Sequence, residues 1–104
     1  MIFKLNTRSA QLLGTDDLKR FHCVFQFPKT EGTEVADLLA PYGVLDTLGY
    51  AWITVDAIIR LAADDDLRHR LEPMVAYARA KGWMRDEPLQ LRGHIEWEPV
   101  TGAN

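Results

Sequence analysis

Apolar positions along the chain recur with two different periods, and the places where the period changes mark the elements. Residues 1–6 alternate, with Met1, Phe3 and Leu5 against Ile2, Lys4 and Asn6, the period of two expected of a strand covered on one face. Residues 20–27 repeat the pattern more strongly. Phe21, Cys23, Phe25 and Phe27 share one face, while His22, Val24 and Gln26 share the other, and Pro28 is expected to end the run. Between these strands, Leu12-Leu13, Gly14 and Thr15-Asp16-Asp17 predict a loop or an irregular hairpin connection.

The period then lengthens. Thr33 is placed to cap a short helix whose inward stripe is Val35, Leu38 and Leu39, with Pro41 and Gly43 closing it. Residues 49–55 are aromatic and β-branched, as a strand demands, although they could also belong to a longer helix because they run without a break into the next element. There Thr54 is the expected cap, and Val55, Ile58, Ile59 and Ala62 share a face at spacings of three and four. Leu67, Leu71, Met74, Val75 and Ala78 form a helical stripe that no strand satisfies. Pro73 lies inside that stripe, so a kink or a break is expected before it. Gly82 after Arg79 and Lys81, with Trp83 turned back over Ala78, is a helix stop. Residues 89–98 alternate again, Leu89, Leu91, Ile95 and Trp97 against Gln90, Arg92, His94, Glu96 and Glu98.

Strands with a single apolar face, interspersed with helices, predict an α+β fold, with a mostly antiparallel sheet of about four strands and helices packed on one face. The second face would then be wet or meet a partner. A chain of 104 residues, 47% hydrophobic, suits one domain spanning 1–104, able to build a core without metal or disulfide staples and too apolar to be disordered.

Charge narrows the function classes. A net charge of −3 gives no general attraction to nucleic acid or to anionic lipid. The negative charge is concentrated: Glu34, Asp37, Asp46, Asp56, Asp64, Asp65 and Asp66 stand against Arg60 alone over residues 32–66, a candidate acidic interaction patch, though helix N-termini also attract acids. No apolar run approaches the roughly 18 residues needed to span a bilayer, and the first residues lack the apolar stretch of a secretion signal, so a cytoplasmic protein is expected. Cys23 is the single cysteine, which fits a reducing compartment and rules out an intramolecular disulfide.

Familiar catalytic signatures are missing. Ser9 is the only serine and has no nucleophile elbow around it. His22 and Cys23 are neighbours on a strand, so their side chains point to opposite faces and form no thiolate–imidazole pair, and Cys23 reads as a buried thiol. The glycines form no phosphate loop, so no nucleotide cofactor is expected, nor any other. Three consecutive aspartates do not match a calcium loop and are better explained as helix capping. Trp52, Trp83 and Trp97 are expected to pack in the core.

Titratable groups converge only on the polar face of the sheet. His94 and Glu96 share a face of the last strand with Arg92, and His22 has the same orientation on its own strand. If those strands are neighbours, two imidazoles and a carboxylate meet, a group able to ligate a metal or to act as an acid and base pair near neutrality. The leading expectation is a non-catalytic protein-interaction module, a homodimer or an adaptor or inhibitor offering its acidic patch, with a protein partner or itself and neither nucleic acid nor membrane. The alternative is a small metal-dependent or acid–base enzyme or ligand binder using His22, His94, Glu96 and Arg92.

Overall fold

Seven strands form one mixed sheet, in a computed structural model that describes residues 1–18, 20–27 and 32–98. The expected stop at Pro28 lies outside the described residues. Chain order is β1 (Ile2–Leu5), β2 (Ala10–Leu13), β3 (His22–Phe25), α1 (Gly32–Leu39), β4 (Gly43–Thr47), β5 (Tyr50–Thr54), α2 (Val55–Ala62), α3 (Leu67–Arg70), α4 (Glu72–Ala80), β6 (Met84–Arg85) and β7 (Gln90–Trp97). Across the sheet the order is β2-β1-β3-β7-β5-β4, with β6 also paired to β7.

The α+β class therefore holds, but the sheet is larger than four strands and is not mostly antiparallel in its centre. Pairings β1–β3 and β3–β7 are parallel, while β1–β2, β7–β5, β5–β4 and β6–β7 are antiparallel. The parallel centre follows from the connections. A tight turn, in which the Asn6 side-chain oxygen accepts from the N–H groups of Arg8 and Ser9 at 2.9 Å each, folds β2 back beside β1, and the chain must return before β3 can start. Strands β2, β4 and β6 escaped the sequence pattern because Leu12-Leu13-Gly14 and Pro41 to Gly43 carry turn residues beside them and β6 has only two residues, so no apolar alternation extends beyond their ends.

The apolar halves of the strands face the helices. Phe3, Leu5, Cys23, Phe25, Ala51, Ile53, Leu91 and Ile95 join Val35, Leu39, Ile58, Leu67, Leu71 and Ala78 in one buried cluster. The turn into α2 is as expected, with Thr54 Oγ1 accepting from the Ala57 N–H at 3.1 Å. Thr33, by contrast, lies inside the first turn of α1, which begins at Gly32, and is not the cap.

Pro73 separates two helices instead of bending one. It occupies the first turn of α4, where the N–H it lacks has no helical partner to lose. The Leu71 N–H donates to Leu67 and the Val75 N–H to Leu71, both at 2.8 Å, so the apolar stripe runs on through the break. At the far end Gly82 takes φ +79°, and the Trp83 N–H donates to the Ala78 carbonyl at 2.8 Å, the stop that the sequence announces.

Candidate functional site

The face of the sheet opposite the core is built from the other half of each strand; Val24 and Gln90 on it are buried, while Leu13, Val44 and Tyr50 are exposed. Register places Leu13, Ile2, His22, His94, Tyr50 and Thr47 in one row across six strands. On one side of that row stand Gln11, Lys4, Val24 and Glu96, and on the other Arg92, Trp52 and Val44. None of these residues belongs to the core cluster.

All four candidate residues lie on this face. Parallel pairing of β3 with β7 sets His22 beside His94 in register and Val24 beside Glu96. His22 Nε2 is 3.9 Å from Glu96 Oε2, close enough for an ion pair when the imidazole is protonated and too long for a hydrogen bond. His94 meets the Tyr50 ring edge to face, with centroids 5.5 Å apart. Arg92 lies flat over the same tyrosine, its guanidinium carbon 3.8 Å from the ring centroid. Arg92 Nε is 3.7 Å from Asp46 Oδ2, yet that buried N–H donates no hydrogen bond.

Three contributors to this face were not anticipated. Tyr50 and Trp52 point outward from β5, with Ala51 and Ile53 inward, and Arg85 covers the Trp52 ring at 4.5 Å while its Nε donates to Gln90. The alternation over 50–53 carried the signal, but the general apolarity of the segment masked it. Trp52 is thus not a core residue, and Trp83 is exposed. Trp97 does pack as expected, 5.5 Å from Phe25 and perpendicular to it, with its indole N–H donating to the Leu48 carbonyl at 2.7 Å.

Cys23 is on the opposite face, fully buried, where desolvation pushes its thiol well above the ordinary range. The thiol therefore does not stand with the imidazoles. Among the described residues no group of three or more His, Cys, Asp or Glu side chains is arranged to hold a metal ion. Nor, among those residues, is any helix long and apolar enough to cross a membrane. A cavity of about 470 Å³ opens on the helical side, lined by Leu18, Arg70, Pro73, Met74 and Tyr77, and holds none of the candidates.

The seven acidic residues are spread over several elements. Glu34 and Asp37 are exposed on α1, and Asp46 is on β4 beside Arg92. Asp56 pairs with Arg60 at 3.3 Å, while Arg70 bonds Asp64 and lies 3.5 Å from Asp66. The Asp64-Asp65-Asp66 run does not cap α3 through a side chain; Asp64 Oδ1 accepts from the Asp66 N–H at 3.0 Å and Arg70 gathers the flanking carboxylates. Of the seven, Glu34, Asp37 and Asp65 make no ion pair with described residues.

The chain matches no family model, no curated protein and no solved structure.

Proposed function

We propose that this domain is a protein-interaction module that pairs with a second copy of itself through the face of its sheet opposite the core. The observation that carries this reading is the makeup of that face: Ile2, Leu13, Val44, Tyr50 and Trp52 lie on it, outside the core, with Leu13, Val44 and Tyr50 at 42%, 41% and 36% exposure. Apolar and aromatic residues gathered on one side of a sheet, flanked by charges, are the usual composition of a recognition surface.

The dimensions also suit a dimer. Six strands at about 4.8 Å spacing, each about five residues long at about 3.3 Å per residue, project roughly 24 by 17 Å. With the relief of the side chains this is on the order of the accessible area, about 800 Å² per partner, that a standard interface buries. A partner copy is favoured over an unrelated protein because the face carries both charge signs, Lys4, Arg85 and Arg92 with Asp46 and Glu96, and can complement itself.

Sedimentation equilibrium tests the reading. The expected mass is twice the 11.8 kDa of the chain. Leu13→Glu and Val44→Glu, at opposite edges of the face and away from the core, should each return the protein to monomer. A wild-type chain that stays monomeric at concentrations of hundreds of micromolar overturns it.

A second reading rests on the His22–His94 register. Paired imidazoles beside a carboxylate favour a small-ligand site on the same face; a metal would need ligands beyond these, because no three such side chains among the described residues are arranged to hold one. Titration with zinc and nickel while following the imidazole resonances separates the two: saturable, coupled shifts of His22 and His94 in a monomer support the ligand site, and independent titration without binding removes it.

A further inference from the structure

Arg92 and Glu96 each leave hydrogen-bonding capacity unused. The Arg92 guanidinium donates no hydrogen bond among the described residues, its Nε is buried without a partner, and its side chain is a third exposed. The Glu96 carboxylate is 57% exposed and has only the 3.9 Å approach of His22. Both stand on the same face of β7, two residues to either side of His94. At about 3.4 Å per residue they are about 14 Å apart along the strand, beyond each other's reach within one chain.

A two-fold rotation about an axis lying in the plane of the face and crossing β7 at His94 exchanges these two positions. From this geometry we infer that two copies pack face to face about that axis, so that Glu96 of each meets Arg92 of the other. The inference rests on the proposed self-pairing and specifies its arrangement. Under this rotation the row containing His22 and His94 falls on its own copy, and the flanking rows interchange. Face-to-face sheets lie about 10 Å apart and are rotated by about 30°, a gap that an arginine and a glutamate side chain close together. Arg92 is already flattened on Tyr50, so less freedom is lost when its N–H groups take a carboxylate. Alternative face-to-face arrangements leave the guanidinium with only its 3.7 Å approach to Asp46 and no hydrogen-bond acceptor at a closed interface, which is costly.

Two single reversals and their mixture test the arrangement. Glu96→Arg places arginine against Arg92 in its own dimer, and Arg92→Glu places glutamate against Glu96, so each variant alone should dimerise about 100-fold more weakly. In an equimolar mixture, both contacts of the heterodimer are again of opposite sign. Association should recover to within about tenfold of wild type, read by sedimentation and by fluorescence transfer between separately labelled chains.

Variants that dimerise normally, or a mixture of folded variants that does not recover, overturn the arrangement. If Leu13→Glu still dissociates the wild-type dimer in that case, the face remains the interface and only the axis is wrong. A monomeric wild type removes the self-pairing reading altogether. Thermal unfolding confirms that each variant is folded. Should Arg92→Glu unfold, Arg92→Gln provides the control: it should weaken the dimer about tenfold and recover part of that on mixing with Glu96→Gln, because the heterodimer regains one of the two Glu96–Arg92 contacts.

Discussion

Gly93 stands on the core side of β7, between the outward-facing Arg92 and His94, and replacing it with alanine tests how closely β7 is packed. A methyl carbon built there lies 2.8 Å from Phe21 Cε2, 2.9 Å from Cys23 Sγ and 3.1 Å from Phe21 Cδ2, against an ordinary contact of 3.4 to 4 Å. Phe21 is only half buried and has room to swing; Cys23 is fully buried, so the strand itself must give by several tenths of an ångström.

Overpacking of this kind costs about 1–3 kcal/mol, and the stiffer unfolded chain of the alanine variant returns about 0.4–1. The expected net loss is about 1–2 kcal/mol, or roughly 5–15 °C in Tm for a domain of this length. The assay is urea unfolding of Gly93→Ala, Cys23→Ala and the double variant. Removing Sγ creates the space that the new methyl needs, so the double variant should be more stable than the sum of the single losses by at least about 0.5 kcal/mol. Strict additivity, or a Gly93→Ala protein as stable as wild type, refutes the close packing of β7 on Cys23 and Phe21.

Two further outcomes are expected. Thr54→Ala removes the acceptor for the Ala57 N–H and should cost about 1 kcal/mol in urea unfolding with an unchanged m-value, whereas Thr54→Ser should cost little. Native Cys23 should react with a thiol-specific reagent at pH 8 only as fast as the protein opens, because burial raises its thiol; labelling at the rate of a free thiol would show that the core around it is loose.

Much of the layout was legible along the chain because each long element has one dominant partner, the core. The period-two runs at β1, β3 and β7 and the helical stripe from Leu67 to Ala78 bury their apolar residues as their spacing requires. The same parity put His22, His94, Glu96 and Arg92 on the face away from that core before any neighbour was known. Local chemistry likewise announced the Thr54 cap and the Gly82 stop.

Neighbourhood was the part that required the folded molecule. No alternation within β3 or β7 states that they lie side by side and parallel, so the His22–His94 register is a product of the sheet order alone. The edge strands β2 and β4 and the two-residue β6 exist through hydrogen bonds to longer strands, a non-local energy with no short-range signature. The aspartates looked like one patch in sequence, but four of them are drawn off by Arg60, Arg70 and Arg92, the last of these brought to Asp46 only by the sheet. Trp52 was misplaced because its apolar ring suits a core; the alternation over 50–53 already turned it outward, and the fold supplied Arg85 to cover it. Sequence periodicity therefore determined which side of each element is buried, because burial depends on residue spacing along one element. The tertiary structure decided which exposed residues meet, because that depends on contacts between elements far apart in the chain.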